Sequence, residues 1–129
     1  MAGLYARDSL PYDLDCARRT CEWLLGNSEF GGIWMIQSDG QDAGYLIVTL
    51  CVSIEFRGRF ALLDELFVDE AFRGRGLGGQ AVEFAAAWAR ERGFSAVRLE
   101  TAHDNVRAQA LYKRSGFILH DRYLMTKWV

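Results

Sequence analysis

Apolar positions along the chain follow two periods, and the points where one gives way to the other mark its elements. From Pro11, the residues Leu14, Ala17, Cys21, Leu24 and Leu25 recur at helical spacing, while Asp13, Asp15, Arg18, Arg19 and Glu22 fall elsewhere. Pro11 suits a first helical turn, the early aspartates suit the positive end of the helix dipole, and Gly26-Asn27 is a stop signal. Residues 1–9 show no periodicity. The run 33–36 reads as a short strand, 38–42 as a turn and 43–52 as a longer strand, which together predict a hairpin. Another turn at Arg57-Gly58-Arg59 leads into a third strand over 60–68. There Leu62, Leu63, Leu66, Phe67 and Val68 are too continuously apolar for a strand wet on one side, so both faces are expected to be covered.

The next pattern is helical and opens near Gly76, with Leu77, Ala81, Phe84, Ala85 and Trp88 inward and Gly93 as its end. Residues 95–101 alternate as a fourth strand. A short helix over 105–115 turns Ala108, Leu111 and Tyr112 inward and closes at Gly116. Residues 117–128 read as mostly extended, with a bend at 120–122. This order, α, β-hairpin, β, α, β, α, β, predicts one α/β domain over residues 1–129, an α+β mixed sheet flanked by helices. The strand–helix–strand passage between 62 and 101 should make those two strands parallel.

Composition narrows the function classes. Half of the 129 residues are apolar and 13% are aromatic, enough for a packed core. A net charge of -2 offers no basic footprint for nucleic acid. No apolar run approaches the ~18 residues of a membrane span, and no leader pattern opens the chain, so a soluble cytoplasmic protein is expected. Cys16, Cys21 and Cys51 are odd in number and lack metal-ligand spacing, which predicts reduced, mostly buried thiols and no metal site.

The chemistry concentrates between residues 64 and 79. An apolar strand carrying Asp64 and Glu65 runs through a short polar turn into glycines and directly into a helix. Such a helix start aims unpaired N–H groups at an anion, usually a phosphate. Gly74-x-Gly76-x-x-Gly79 also satisfies a dinucleotide fingerprint, with Glu100 about 20 residues on. Three features oppose that reading: the glycines follow the strand only after residues 69–73, half the chain precedes them, and no second βαβ half exists. A glycine-rich turn that merely redirects the chain is a further alternative.

A longer pattern decides among these. Arg73-x-x-Gly76-x-Gly78 is followed by Asn105-x-x-Ala108-x-x-Leu111-Tyr112-x-x-x-Gly116-Phe117. This pair of motifs resembles the GNAT superfamily of acetyl-coenzyme A-dependent N-acetyltransferases, over about residues 33–129 and most strongly over 64–117. The resemblance implies a central sheet splayed between its two parallel strands. The pantetheine arm would lie in the splay against backbone at Phe67, Val68 and Asp69, with a bulge there turning an N–H of Phe67 or Val68 toward the thioester oxygen. The pyrophosphate would sit on Arg73, Gly74, Arg75, Gly76, Leu77, Gly78 and Gly79. Asn105 would hold the pantetheine amides and double as a helix cap, and Tyr112 would protonate the leaving thiolate; a phenol near pKa 10 is a sensible acid for that sulfur.

The implied reaction moves an acetyl group from acetyl-coenzyme A to a primary amine of a small molecule or peptide, by direct attack in a ternary complex. A catalytically silent acyl-coenzyme A-binding sensor is the second reading. The amine needs a proton acceptor. Adjacent strand residues face opposite ways, so only one of Asp64 and Glu65 should face the acceptor; Glu65 is favoured because Asp64 falls in phase with Leu62, Leu66 and Val68. A carboxylate in so apolar a strand is expected to hold its proton more tightly unless paired. Glu100 is the next candidate, with His103 in the following loop. The family's usual first strand has no counterpart before Pro11: the chain is shortened there, or Leu4-Tyr5 is a vestigial strand, or a neighbouring subunit covers the edge, which favours a homodimer.

Overall fold

The folding pattern is set by one long antiparallel meander onto which helices close from both sides. The computed structural model describes residues 13–129. Strands β1 (Gly31–Ser38), β2 (Gln41–Ser53) and β3 (Gly58–Val68) pair antiparallel in sequence order, and β4 (Val97–Leu99) adds parallel to β3. Helix α1 is Leu14–Gly26, α2 is Leu77–Glu91 and α3 is Val106–Arg114. The result is a mixed α+β fold with a four-stranded mixed sheet and three helices among the described residues.

Local sequence explains the element ends. Asp13 caps α1 by accepting from the Cys16 N–H at 3.1 Å, and the Asn27 side chain closes it by donating to the Trp23 carbonyl at 2.7 Å. The expectation for Pro11, like that of a vestigial strand at Leu4-Tyr5, lies outside the described residues. The β1–β2 turn is tighter than predicted, using only Asp39 and Gly40, both at positive φ.

The core lies between α2 and one face of the sheet. Ala81, Val82, Ala85, Trp88 and Ala89 of α2 pack on Leu46, Val48, Ala61 and Leu63, with Trp34 and Phe94 edge-on to Trp88. Phe84, expected inside, is 42% exposed at the edge of Trp34. The apolar stripe of α1 is narrower than its periodicity suggests, since Leu24 is buried while Leu14 and Leu25 are exposed. Two further corrections concern the ends of elements. The fourth strand shrinks from seven expected residues to three, and no strand forms over 117–129, where Trp128 is exposed and outside the core. Arg122 instead pairs bidentately with Glu55 in the β2–β3 turn, and the His120 ring meets Phe56.

Gly44 sits opposite Val68 with no room for a side chain: a Cβ there would lie 2.0 Å from the Phe67 carbonyl oxygen. Gly44→Ala should therefore lower the free energy of unfolding by at least ~2 kcal/mol, read as a lower urea midpoint at unchanged slope.

Candidate active site

The parallel strands β3 and β4 pair only from Ala61↔Val97 to Leu63↔Leu99. Beyond Leu63 the third strand continues for five residues, paired to β2 on one side and to no strand among the described residues on the other. The opening is a cleft of about 100 Å³ lined by Leu63, Asp64, Glu65, Leu66, Leu99, Glu100, Thr101, Ala102, Asn105 and Tyr112.

An extra residue in β3 builds one wall of that cleft. Ile47 pairs with Glu65 and Val48 with Leu63, so Asp64 has no partner across the ladder. A bulge of this kind interrupts strict alternation, which corrects two expectations. It lies at Asp64 instead of at 67–69. It also brings Asp64 and Glu65 to one cleft, where alternation would have sent them to opposite faces. Asp64 is not in the core: Leu63 is buried there and Asp64 is exposed.

The two carboxylates differ in surroundings. Glu65 is 6% exposed, and its Oε2 accepts a hydrogen bond from the Tyr45 hydroxyl at 2.9 Å. Asp64 keeps a solvent-facing side, yet loss of hydration on the other, with the negative charges of Glu65 and Glu100 beside it, pushes its pKa above the ordinary 3.8. Glu100 is exposed at the mouth, while the nearby Arg98 lies over the Phe56 ring at 3.8 Å. His103 is exposed outside the cleft, its carbonyl accepting from Gln109.

Backbone groups at the end of β3 divide between two sides. The Asp69 N–H donates to the Ala43 carbonyl at 2.7 Å, so it is bound to β2. Alternation along the ladder then turns the N–H groups of Val68 and Leu66 toward the cleft. In agreement, the Val68 carbonyl faces away from β2 and accepts from Arg73 Nε at 3.1 Å.

Glycine is required in the loop that follows, because Gly74 and Gly76 have φ of 81° and 78°. Gly76 is the N-cap of α2 and contributes no side-chain bond to its first turn, so the early N–H groups of the helix point outward from backbone alone. Gly78 and Gly79 serve a second purpose. A Cβ on Gly78 would come within 3.0 Å of Leu111, so its absence lets α3 close on α2. Beside them lies a groove of about 590 Å³ lined by Gly76, Gly79, Gln80, Glu83, Leu111, Arg114 and Ser115. Arg75 is turned toward the β1–β2 turn, 3.4 Å from Asp39 and stacked on Phe72. Leu77 is half-buried.

Helix α3 supplies the opposite wall. Asn105 caps it by accepting from the Ala108 N–H at 3.2 Å, which occupies Oδ1 only. Tyr112 packs against the core and the edge of Phe117 while lining the cleft.

Comparison with known proteins identifies the arrangement. Residues 3–117 match the family model described as acetyltransferase (GNAT) family. The chain belongs to the GNAT family. It is 34% identical over 103 residues to an uncharacterized N-acetyltransferase of Methanocaldococcus jannaschii, covering 78% of this chain and 45% of that one; it thus spans about half the length of that relative. The crystal structure of an integron cassette protein from the mobile metagenome of Cole Harbour Salt Marsh superposes with a TM-score of 0.82 at 29% identity, over 98% of this chain and 78% of that one. The aminoglycoside acetyltransferase AAC(6')-Iy, solved with a bisubstrate analogue, shares the fold at a TM-score of 0.78 and 19% identity, over 92% and 82% of the two chains.

Two residues that bear on this cleft have no signal in the sequence. Tyr45 lies outside the cleft lining and reaches Glu65 only through the hairpin register. Thr101 has a buried Oγ1 with no hydrogen-bond partner among the described residues, and nothing in its sequence context signals that. The cysteines are less buried than expected, with Cys16 exposed and Cys21 and Cys51 half-buried; partial burial pushes both of the latter thiols up. No helix among the described residues is long and apolar enough to cross a membrane.

An acid with a folded-state pKa above its unfolded value binds more protons when folded, so its contribution to stability falls as pH rises through that interval. Asp64→Asn should accordingly raise Tm near neutral pH, and the gain should shrink as pH falls and vanish below about 3.8. Thermal melts of both proteins from pH 3 to 8 check this.

Proposed function

We propose that this chain transfers an acetyl group from acetyl-coenzyme A to a primary amine of a small molecule or peptide, in a ternary complex. The observation that carries the reading is that one cleft gathers two carboxylates of β3, Glu100, Asn105 and Tyr112, a short distance along β3 from a glycine-built helix start.

The chain's features fit acetyl-coenzyme A. Positive-φ glycines with open space around them give an anion close access to the N–H groups of Leu77, Gly78 and Gly79, and the adjoining groove ends at Arg114. Arg73 borders this loop, and Arg75 can swing to it from its exposed pairing with Asp39. The β3 edge at 66–68 offers an extended amide chain one unpaired strand to bond, with Asn105 across from it. The buried Thr101 hydroxyl is a donor that a bound ligand would satisfy. Acetyl-coenzyme A supplies an activated thioester; the chain's residues supply orientation and proton transfer.

In this reading Glu65, held by Tyr45, accepts the proton of the incoming ammonium directly or through water, with Asp64 and Glu100 drawing the cationic amine in. The Val68 N–H stabilises negative charge on the carbonyl oxygen as the nitrogen–carbon bond forms. When the carbon–sulfur bond breaks, Tyr112 gives its proton to the sulfur, and the second proton shed by the nitrogen restores the Tyr112 phenol through water.

Calorimetry with acetyl-coenzyme A should give micromolar binding, and free-thiol release over a panel of primary amines should separate turnover from silent binding. Absence of heat at high micromolar ligand would remove the acetyl-coenzyme A assignment. Tyr112→Phe should lower kcat about a hundredfold; an unchanged rate at every pH would end its assignment as the acid. Glu65→Gln should reduce the rate below neutral pH more than Asp64→Asn, and the reverse order would move the base to Asp64.

A further inference from the structure

The sheet face that carries the two carboxylates also carries a cation to which the acetyl transfer assigns no role. Leu99 packs toward the core beneath α2, so its neighbour Arg98 points to the opposite face of the sheet. Leu63 and Leu66, on either side of the bulge, also pack toward the core, which leaves Glu65 on the face of Arg98. The ladder sets Arg98 beside Leu62. Glu65 follows further along β3, about 10 Å away at ~3.3 Å per residue. Cys51 lies between the two poles, within electrostatic reach of both Asp64 and Arg98.

The Arg98 guanidinium is held in place without being neutralised. It is half-buried, 3.8 Å from the centre of the Phe56 ring and 5.5 Å from that of Phe60. Among the described residues it makes no ion pair. Glu55, close enough to feel its charge, spends both carboxylate oxygens on Arg122, with His120 also nearby. This corner therefore sets one carboxylate against two guanidiniums and an imidazole. The other pole is the reverse: Asp64 feels the negative charges of Glu65 and Glu100, and its pKa is raised accordingly. A half-buried cation with no counter-charge gives up hydration that nothing in the chain returns. Stacked on a ring, a guanidinium keeps its N–H edge free for the paired hydrogen bonds that a carboxylate accepts.

We propose that Arg98 is a specificity residue that binds a carboxylate at the far end of the acceptor. The acceptors are then primary amines joined to a carboxylate by an aliphatic chain long enough to cross from Glu65 to Arg98, as in an ω-amino acid or the side-chain amine of a dibasic amino acid. The amine's place in this assignment rests on the acetyl-transfer reading of the same cleft. A carboxylate suits the site better than a phosphate dianion, because Asp64, Glu65 and Glu100 would repel the second charge.

Calorimetry on the full chain tests this by comparing ε-aminocaproate with n-hexylamine, which has the same amine and chain length and lacks the carboxylate. The parent should bind ε-aminocaproate at least about tenfold more tightly. In Arg98→Gln that ratio should fall to about one, and Arg98→Lys, which keeps the charge without the planar fork, should fall between. A parent ratio near one, or a preference undiminished in Arg98→Gln, would overturn the proposal. Free-thiol release from acetyl-coenzyme A on the same samples separates the two readings. Preference in binding with no release supports the carboxylate contact and removes acetyl transfer. Release with equal KM for the two amines removes the carboxylate contact alone.

Discussion

A strand that carries one residue more than its neighbour has to put that residue somewhere, and in this fold much follows from where it goes. β3 is bonded to β2 along its whole length, while its other side pairs with β4 for only three residues. The extra residue, Asp64, falls at the point where the β4 pairing stops. Below it, Ala61 and Leu63 face α2 and are buried. Above it the strand is free on one edge, and the phase of its side chains has shifted. A bulge bends and twists the strand that contains it. The cleft is thus a product of the backbone, and the carboxylates beside it are held by the same irregularity that opens it.

The opposite requirement governs α2. A helix packed this closely needs small residues where the sheet is nearest, and Ala81, Ala85 and Ala89 meet that need between the larger Val82 and Trp88. Rigid packing matters because α2 begins at the glycine turn proposed to accept an anion. The turn itself has no side-chain cap, so its geometry rests on the αL residues Gly74 and Gly76 and on the Arg73 bond back to Val68. The loop is tied to the strand it leaves, which fixes the helix start relative to the cleft.

Element types and order were readable because their signals are local. Periodicity found both β3 and α2, capping residues marked the ends of α1 and α3, and the paired motifs gave the family. What could not be read depends on pairing between distant residues. The bulge at Asp64 exists only relative to β2, so a rule of alternation assigned Asp64 and Glu65 to opposite faces. Tyr45 reached Glu65 through the hairpin register, 20 residues away. The final strand expected over 117–128 does not form among the described residues, because extended composition marks a strand-forming segment and not the partner it needs. Leu14 and Leu25 show the same limit, since a helical stripe predicts which residues share a face and not how much of that face is covered.

The glycines of α2 carry one consequence for motion. Leu111 of α3 fills the space that Gly78 leaves, at the first turn of α2, and Tyr112 is the next residue along α3. Leu111 thereby links the helix start to the neighbouring residue whose ring lines the cleft. The two ends of a long bound molecule, one on the glycines and one near Tyr112, would be held to a common spacing by this contact. It acts as a ruler between them, and its length is set by the absence of one methyl group.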